Sequence, residues 1–223
     1  MEATNINTLA ASLKNEVVWL NLKWKIYRDT FENPKRSLLL TEAAPIIFAI
    51  LQKLLLDDIV ITLCRLTDPA ESGQGRGRKL NNSLFRLLQE KGGDNTILLK
   101  LQKKIKPIRK LRDKNIAHSD FDNTLANFCN NTSNGVTAFT LNCPVTVEEL
   151  EGFIYEINEI MNTANNTKYL YNQIKTPIGQ DGGLGILIGH LKAALFYKKL
   201  EKSGKINLSS FHEELEQYEH KDA

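Results

Sequence analysis

Arg112, Asp113 and His118 stand close together in the stretch Leu111-Arg-Asp-Lys-Asn-Ile-Ala-His118, with five residues between the arginine and the histidine. These residue types can cleave RNA without a metal. The reaction needs a base for the 2′-hydroxyl proton, an acid for the leaving oxygen and a cation for the charge on the phosphorane. Imidazole titrates near neutral pH and serves in either protonation state. Guanidinium offers a fixed bidentate donor set to phosphate oxygens. One helix supplies only one of each, so a symmetric site of four residues needs two copies brought together by a two-fold axis.

On a helical wheel with Leu101 at zero and about 100° per residue, Ile105, Ile108 and Ile116 fall within about 60° of it, and Arg112 falls near 20°. An arginine on an apolar stripe is costly unless paired. The bland explanation is a bidentate pair with a carboxylate such as Asp57 or Asp58, or a stripe that has already left the core. Asp113 points away from the stripe and His118 lies on its flank. The run from Lys100 to Lys114 that leads into the motif holds eight basic residues (Lys100, Lys103, Lys104, Lys106, Arg109, Lys110, Arg112, Lys114) against the single acid Asp113. Such a run is ordinarily a solvated face. Beside a phosphate-cleaving site it would be an RNA contact surface, with Arg109, Lys110 and Lys114 nearest to it.

The elements that must position these residues read as helices. Leu9, Leu13, Val17, Leu20, Trp24, Tyr27 and Phe31 alternate spacings of four and three, and Asn33-Pro34 ends that helix. A second helix is expected from a cap at Thr41, with Glu42 and Pro45 in its first turn, through to Leu66. It is apolar almost all round, which makes it either central or shared between the core and a partner chain. Asp57 and Asp58 are read as its solvent edge. Thr67-Asp68-Pro69 stops it, and the glycines and arginines of residues 70–79 form a basic loop with no phosphate-loop pattern. A short helix follows from about Asn82 to Glu90. A fourth runs from Asp94 or Asn95 into the motif, with Pro107 as a bend.

Residues 122–144 read as an Asn-rich insertion with a weak hairpin pattern at Gly135–Leu141. Thr146-Val-Glu-Glu149 is a capping box that launches a fifth helix, expected to reach about Tyr171. A sixth, from about Leu184 to Lys202, places Leu187, Leu191 and Leu195 inward. The expected fold is all-α, an up-and-down bundle of five to six helices over residues 1–203, with a charged tail at 204–223.

Composition excludes several classes. Hydrophobic content of 42%, charged content of 25% and a net charge of +3 are those of an ordinary globular domain, too near neutral to imply nucleic-acid binding by charge alone. The three cysteines, Cys64, Cys129 and Cys143, form no CxxC pair, which fits a reducing compartment. The start of the chain lacks the basic and apolar pattern of a signal peptide, and no apolar run is long enough to span a bilayer. A cytoplasmic location and no membrane partner are expected. His190, His212 and His220 have no companions at ligand spacing, and no zinc, cofactor or Ser-His-Asp pattern is present. Neither a metal nor a cofactor is expected.

The motif Arg112-Asp-Lys-Asn-Ile-Ala-His118 resembles the hallmark of the HEPN superfamily: arginine, a polar residue, a short spacer, then histidine. Arg65-Leu-Thr-Asp-Pro69 and Lys114-Asn-Ile-Ala-His118 look most like its AbiU-type branch, a group linked to abortive phage infection. The resemblance covers roughly residues 5–200. It implies a dimeric, metal-independent ribonuclease of toxin or phage-defence type, with Arg112 and His118 catalytic at the dimer interface and Asp113 tuning the site. RNA, a second copy of the chain and a nucleotidyltransferase-like antitoxin are the partners it implies. The alternative it leaves open is a HEPN-type module that binds a nucleotide or a protein without cleaving.

Overall fold

In a computed structural model of the chain, residues 6–73, 77–113, 144–167 and 183–205 are described. The stripe of the first helix, α1 (Ile6–Phe31), goes inward as its spacing requires: Leu9, Leu13, Val17, Leu20, Trp24 and Tyr27 are all buried. Asn33 then caps a separate helix, α2 (Pro34–Ala43), its side chain accepting from the Arg36 amide at 3.2 Å with Pro34 in the first turn. Thr41 is therefore not a cap. It lies in the last turn of α2, donating its hydroxyl to the Ser37 carbonyl at 2.9 Å. The break falls at Ala44 (φ −156°, ψ 76°), where the following proline disfavours helical backbone, and α3 (Pro45–Leu66) begins at once.

α3 runs antiparallel to α1. Lys23 pairs with Asp58, Arg65 with Glu16 at 3.0 Å, and Gln52 donates to the Tyr27 hydroxyl at 3.5 Å. Its C-terminal half is core (Leu56, Ile59, Val60, Leu63, Cys64 and Leu66), whereas Ile46, Ile47, Ile50, Leu51 and Leu54 of its first half are exposed. The all-round apolar character thus divides along the helix as well as around it. Leu63 is completely buried, so Leu63→Ala is expected to cost about 2–5 kcal/mol, read as a lower denaturant midpoint with an unchanged m-value.

The basic loop after α3 is pinched by a two-residue antiparallel ladder, β1 (Glu71–Ser72) with β2 (Lys79–Leu80). Gly73 makes the turn at φ +85°, and a Cβ there would stand 2.5 Å from the Gly77 carbonyl oxygen. Ser83 caps α4 (Leu84–Lys91), and Gly92 ends it in the left-handed conformation.

The long basic helix is two segments, α5 (Thr96–Lys104) and α6 (Lys106–Leu111). The hydrogen-bond ladder still crosses the junction, from the Ile105 amide to the Leu101 carbonyl and from the Arg109 amide to the Ile105 carbonyl, each at 3.0 Å. The division falls at Ile105, two residues before Pro107, which has no amide proton to give to the ladder and stands in the first turn of α6. Leu101, Ile105 and Ile108 face the core, as the wheel placed them.

The capping box forms as read, Thr146 and Glu149 each accepting from the other's amide. It starts α7 (Val147–Asn165), which stops at a left-handed Asn166 rather than continuing to Tyr171. α7 lies along α1, where Asn21 and Asn158 exchange hydrogen bonds at 2.8 and 2.9 Å and Arg28 pairs with Glu151. It also reaches α5 through Lys104 and Glu156, and α4 through Lys91, which donates to the Ala164 carbonyl at 2.6 Å.

The last described helix, α8 (Leu184–Lys202), packs on α2 in a small second cluster of Leu40, Leu184 and Ile188 with Phe31, Phe48 and Leu191 at its margin. Leu191 and Leu195 are half-buried on its inner side as expected, but Ile188 is buried there in place of Leu187, which is exposed. The fold is all-α, with eight helices among the described residues against the five to six expected. The difference is the separate α2 and the divided basic helix. None of these helices is long and apolar enough to cross a membrane. The hairpin pattern at 135–141, the rest of the 122–144 insertion below residue 144, and the tail from 206 onward lie outside the described residues.

Candidate functional site

The end of α3 and the end of α6 meet, and the arginines of the basic run lie at that meeting. A helix C-terminus leaves carbonyl oxygens without partners inside the helix, and these carry the negative end of its dipole. Arg109 answers this need. Its Nη2 donates to the Thr67 carbonyl at 2.6 Å, to the Thr67 hydroxyl at 2.7 Å and to the Cys64 carbonyl at 3.2 Å, and its Nη1 donates to Asp68 Oδ1 at 2.5 Å. Thr67 is fully buried and its hydroxyl turns back to the Leu63 carbonyl at 2.8 Å. Arg109 is therefore a tie between two helices, not a free cation on the surface.

Arg112 occupies the next turn, in right-handed helical backbone (φ −53°, ψ −53°) and half-buried. Its Nε donates to Asp113 Oδ1 at 2.8 Å, and its Nη1 reaches the same Asp68 oxygen at 3.4 Å. Asp57 and Asp58, the carboxylates first considered as partners, are engaged elsewhere, with Lys53 and Lys23. The partner is Asp68 because the stripe of α6 passes the end of α3 rather than its middle. Partial burial works against the Arg112 charge. The hydrogen bond that Arg112 donates to Asp113, the neighbouring Cys64 and the carboxylates of Asp68 and Asp113 outweigh it, and the guanidinium is held above its ordinary pKa. Cys64, buried beneath both arginines, has its thiol pushed up to about 11 by burial, which the charges of Arg112 and Arg109 oppose without reversing.

Lys103, Lys106 and Lys110 are exposed along the outer side of α5 and α6. None of the three has an ion pair among the described residues, whereas Lys104 is held by Glu156. Asp113 is exposed beside Arg112. Lys114 and His118, the remaining members of the expected site, lie outside the described residues. Of the expected residues, Arg109 and Arg112 are thus brought together on the Asp68 carboxylate, Asp113 is held by Arg112, and Lys110 lies on the exposed side. Asp68 and Thr67 belong to the same cluster. In the sequence they stood out as a helix stop and as part of the Arg65-Leu-Thr-Asp-Pro69 stretch that carries the family resemblance, not as partners of the arginines. Among the described residues no group of three or more His, Cys, Asp or Glu side chains could hold a metal ion.

Comparison with curated proteins and with solved structures gave no match. The family model described as AbiU2 matches residues 4–167, which takes in the motif and every described helix except α8, and is shorter than the resemblance read over residues 5–200. With most of its length in that match, the chain belongs to the AbiU2 family of HEPN domains.

Proposed function

We propose that this HEPN domain is a metal-independent RNA endonuclease of toxin or phage-defence type that works as a homodimer. The observation that carries the reading is Arg112. It is half-buried, pinned at Nε by Asp113 and at Nη1 by Asp68, and its Nη2 makes no hydrogen bond among the described residues. A guanidinium held at Nε and Nη1, with Nη2 free of hydrogen bonds among the described residues, is prepared to receive a phosphate oxygen. Arg112 stabilises the phosphorane, His118 acts as acid and base, and Asp113 sets the orientation of Arg112. RNA-dependent cleavage in excess EDTA that is lost with His118 tests the reading. Binding without cleavage in wild-type protein would favour the non-catalytic module instead.

The backbone of the RNA is met by Lys110 and Lys114, joined by Lys103 and Lys106 on the same exposed side. Arg109, whose Nη1 and Nη2 are taken up at the end of α3, supports the site rather than touching RNA. Each phosphate contact releases a counterion, so removing one lysine is expected to lower the slope of log Kd against log salt by roughly 0.7 on single-stranded RNA. Lys103→Ala, Lys106→Ala and Lys110→Ala, titrated at several salt concentrations, check this. An unchanged slope would leave that face to solvent alone.

A second copy is supported by the outer stripe of α3. Ile47, Ile50, Leu51, Leu54 and Ile61 lie on one side of the helix and are all exposed, with Ile46 beside them. Apolar surface of that extent is characteristic of an interaction face.

A further inference from the structure

We infer that Asp68 is a positioning residue that sets the orientation of Arg112, and that Arg109 is the strut holding Asp68; this rests on the nuclease reading above. Two arginines converge on one carboxylate oxygen unequally, Arg109 at 2.5 Å and Arg112 at 3.4 Å. Arg109 is fixed independently by the Cys64 and Thr67 carbonyls and the Thr67 hydroxyl at the end of α3. Its guanidinium therefore locates the carboxylate, and the carboxylate in turn limits where Nη1 of Arg112 can lie.

With Nε fixed by Asp113, the planar group has two of its edges set, and Nη2 is left with one direction to face. The unequal sharing has an electrostatic consequence as well. The Asp68 charge is balanced mainly by the nearer Arg109, so Arg112 retains more of its own for an incoming phosphate. A structural ion pair between α3 and α6 would require Arg109 alone. The reach of Arg112 to the same oxygen links that tie to the motif.

Asp68 touches no substrate in this scheme. Its loss should lower kcat and leave KM little changed, because a misdirected guanidinium fails in the transition state more than in binding. The test uses the full chain. Asp68→Asn keeps the shape and removes the charge, and Arg109→Lys keeps a charge and removes the fork. If either variant fails to fold, the other carries the test.

Each is expected to lower kcat for RNA cleavage by about 10–100-fold, with KM shifted by no more than about twofold. In an Arg112→Ala background the same substitution should cause no further loss, since residues acting through one group are not additive. Additive losses, or a change in KM alone, would overturn the inference. A readout that does not depend on cleavage separates it from the nuclease reading. In protein labelled with ¹⁵N-arginine, Asp68→Asn should shift the side-chain Nε–H signal of Arg112 and speed its exchange with water. An unmoved Arg112 signal sinks the inference, whether or not wild-type protein cuts RNA. A moved signal in protein that never cleaves keeps Asp68 as the positioning residue and rejects the nuclease.

Discussion

In excess EDTA, His118→Ala protein should cleave RNA about 10²–10⁴-fold more slowly than wild-type protein, the loss that removal of a general acid–base group brings. EDTA matters because a trace metal nuclease would otherwise imitate the activity. The reasoning starts from a division of labour. Arg112 is a permanent cation, so it stabilises charge but cannot move a proton near neutral pH. Asp113 is committed to the Nε of Arg112 at 2.8 Å. His118 is the only histidine in the motif, and imidazole is the side chain that takes and returns a proton in this range. Cleavage rates of the two proteins measured on one RNA preparation decide the matter. Equal rates, or no cleavage by either, end the enzyme reading.

Ile47→Asp combined with Leu54→Asp should convert a dimer into a monomer and remove RNA cleavage with it. Both side chains are exposed, at 60% and 58%, so placing carboxylates there costs the folded monomer little. In a dimer face the same carboxylates would be buried without partners, which is strongly unfavourable. Light scattering should show the mass falling from twice the chain to once, while circular dichroism keeps its helical signal. Loss of cleavage in a folded monomer would mean that the site draws on both chains. A double variant that remains dimeric would move the interface away from α3. A monomer that cleaves normally would remove the shared site from the mechanism.

Much of the fold was legible in the chain itself. The spacing of Leu9 to Phe31, the capping box at Thr146 and the stripe of Leu101, Ile105 and Ile108 each follow from periodicity or local hydrogen bonding, and each appears in the structure. These are short-range effects, settled within a few residues. The errors were also local in origin. Thr41 looked like a cap because it precedes an acid and a proline, yet Asn33-Pro34 upstream had already started a helix, and only Pro45 forced the break. In α8 the helical spacing also picked Leu187, whereas the cluster with Leu40 on α2 takes Ile188 beside Leu184 and Leu191.

The sequence by itself determined that Arg112 would lie on the stripe of a basic helix, and that such a position asks for a partner, with Asp57 or Asp58 as the candidates, unless the stripe had already left the core. It could not say which. Asp57, Asp58 and Asp68 are equivalent to a helical wheel, because the wheel knows nothing of the neighbouring helix. The tertiary structure decided for Asp68 by bringing the end of α6 to the end of α3, where unpaired carbonyls and Thr67 draw in Arg109 as well. The register between two helices depends on their whole packed interface, whereas the need for a counter-charge depends on one residue. That is why the arginine's requirement could be read from the chain and its partner could not.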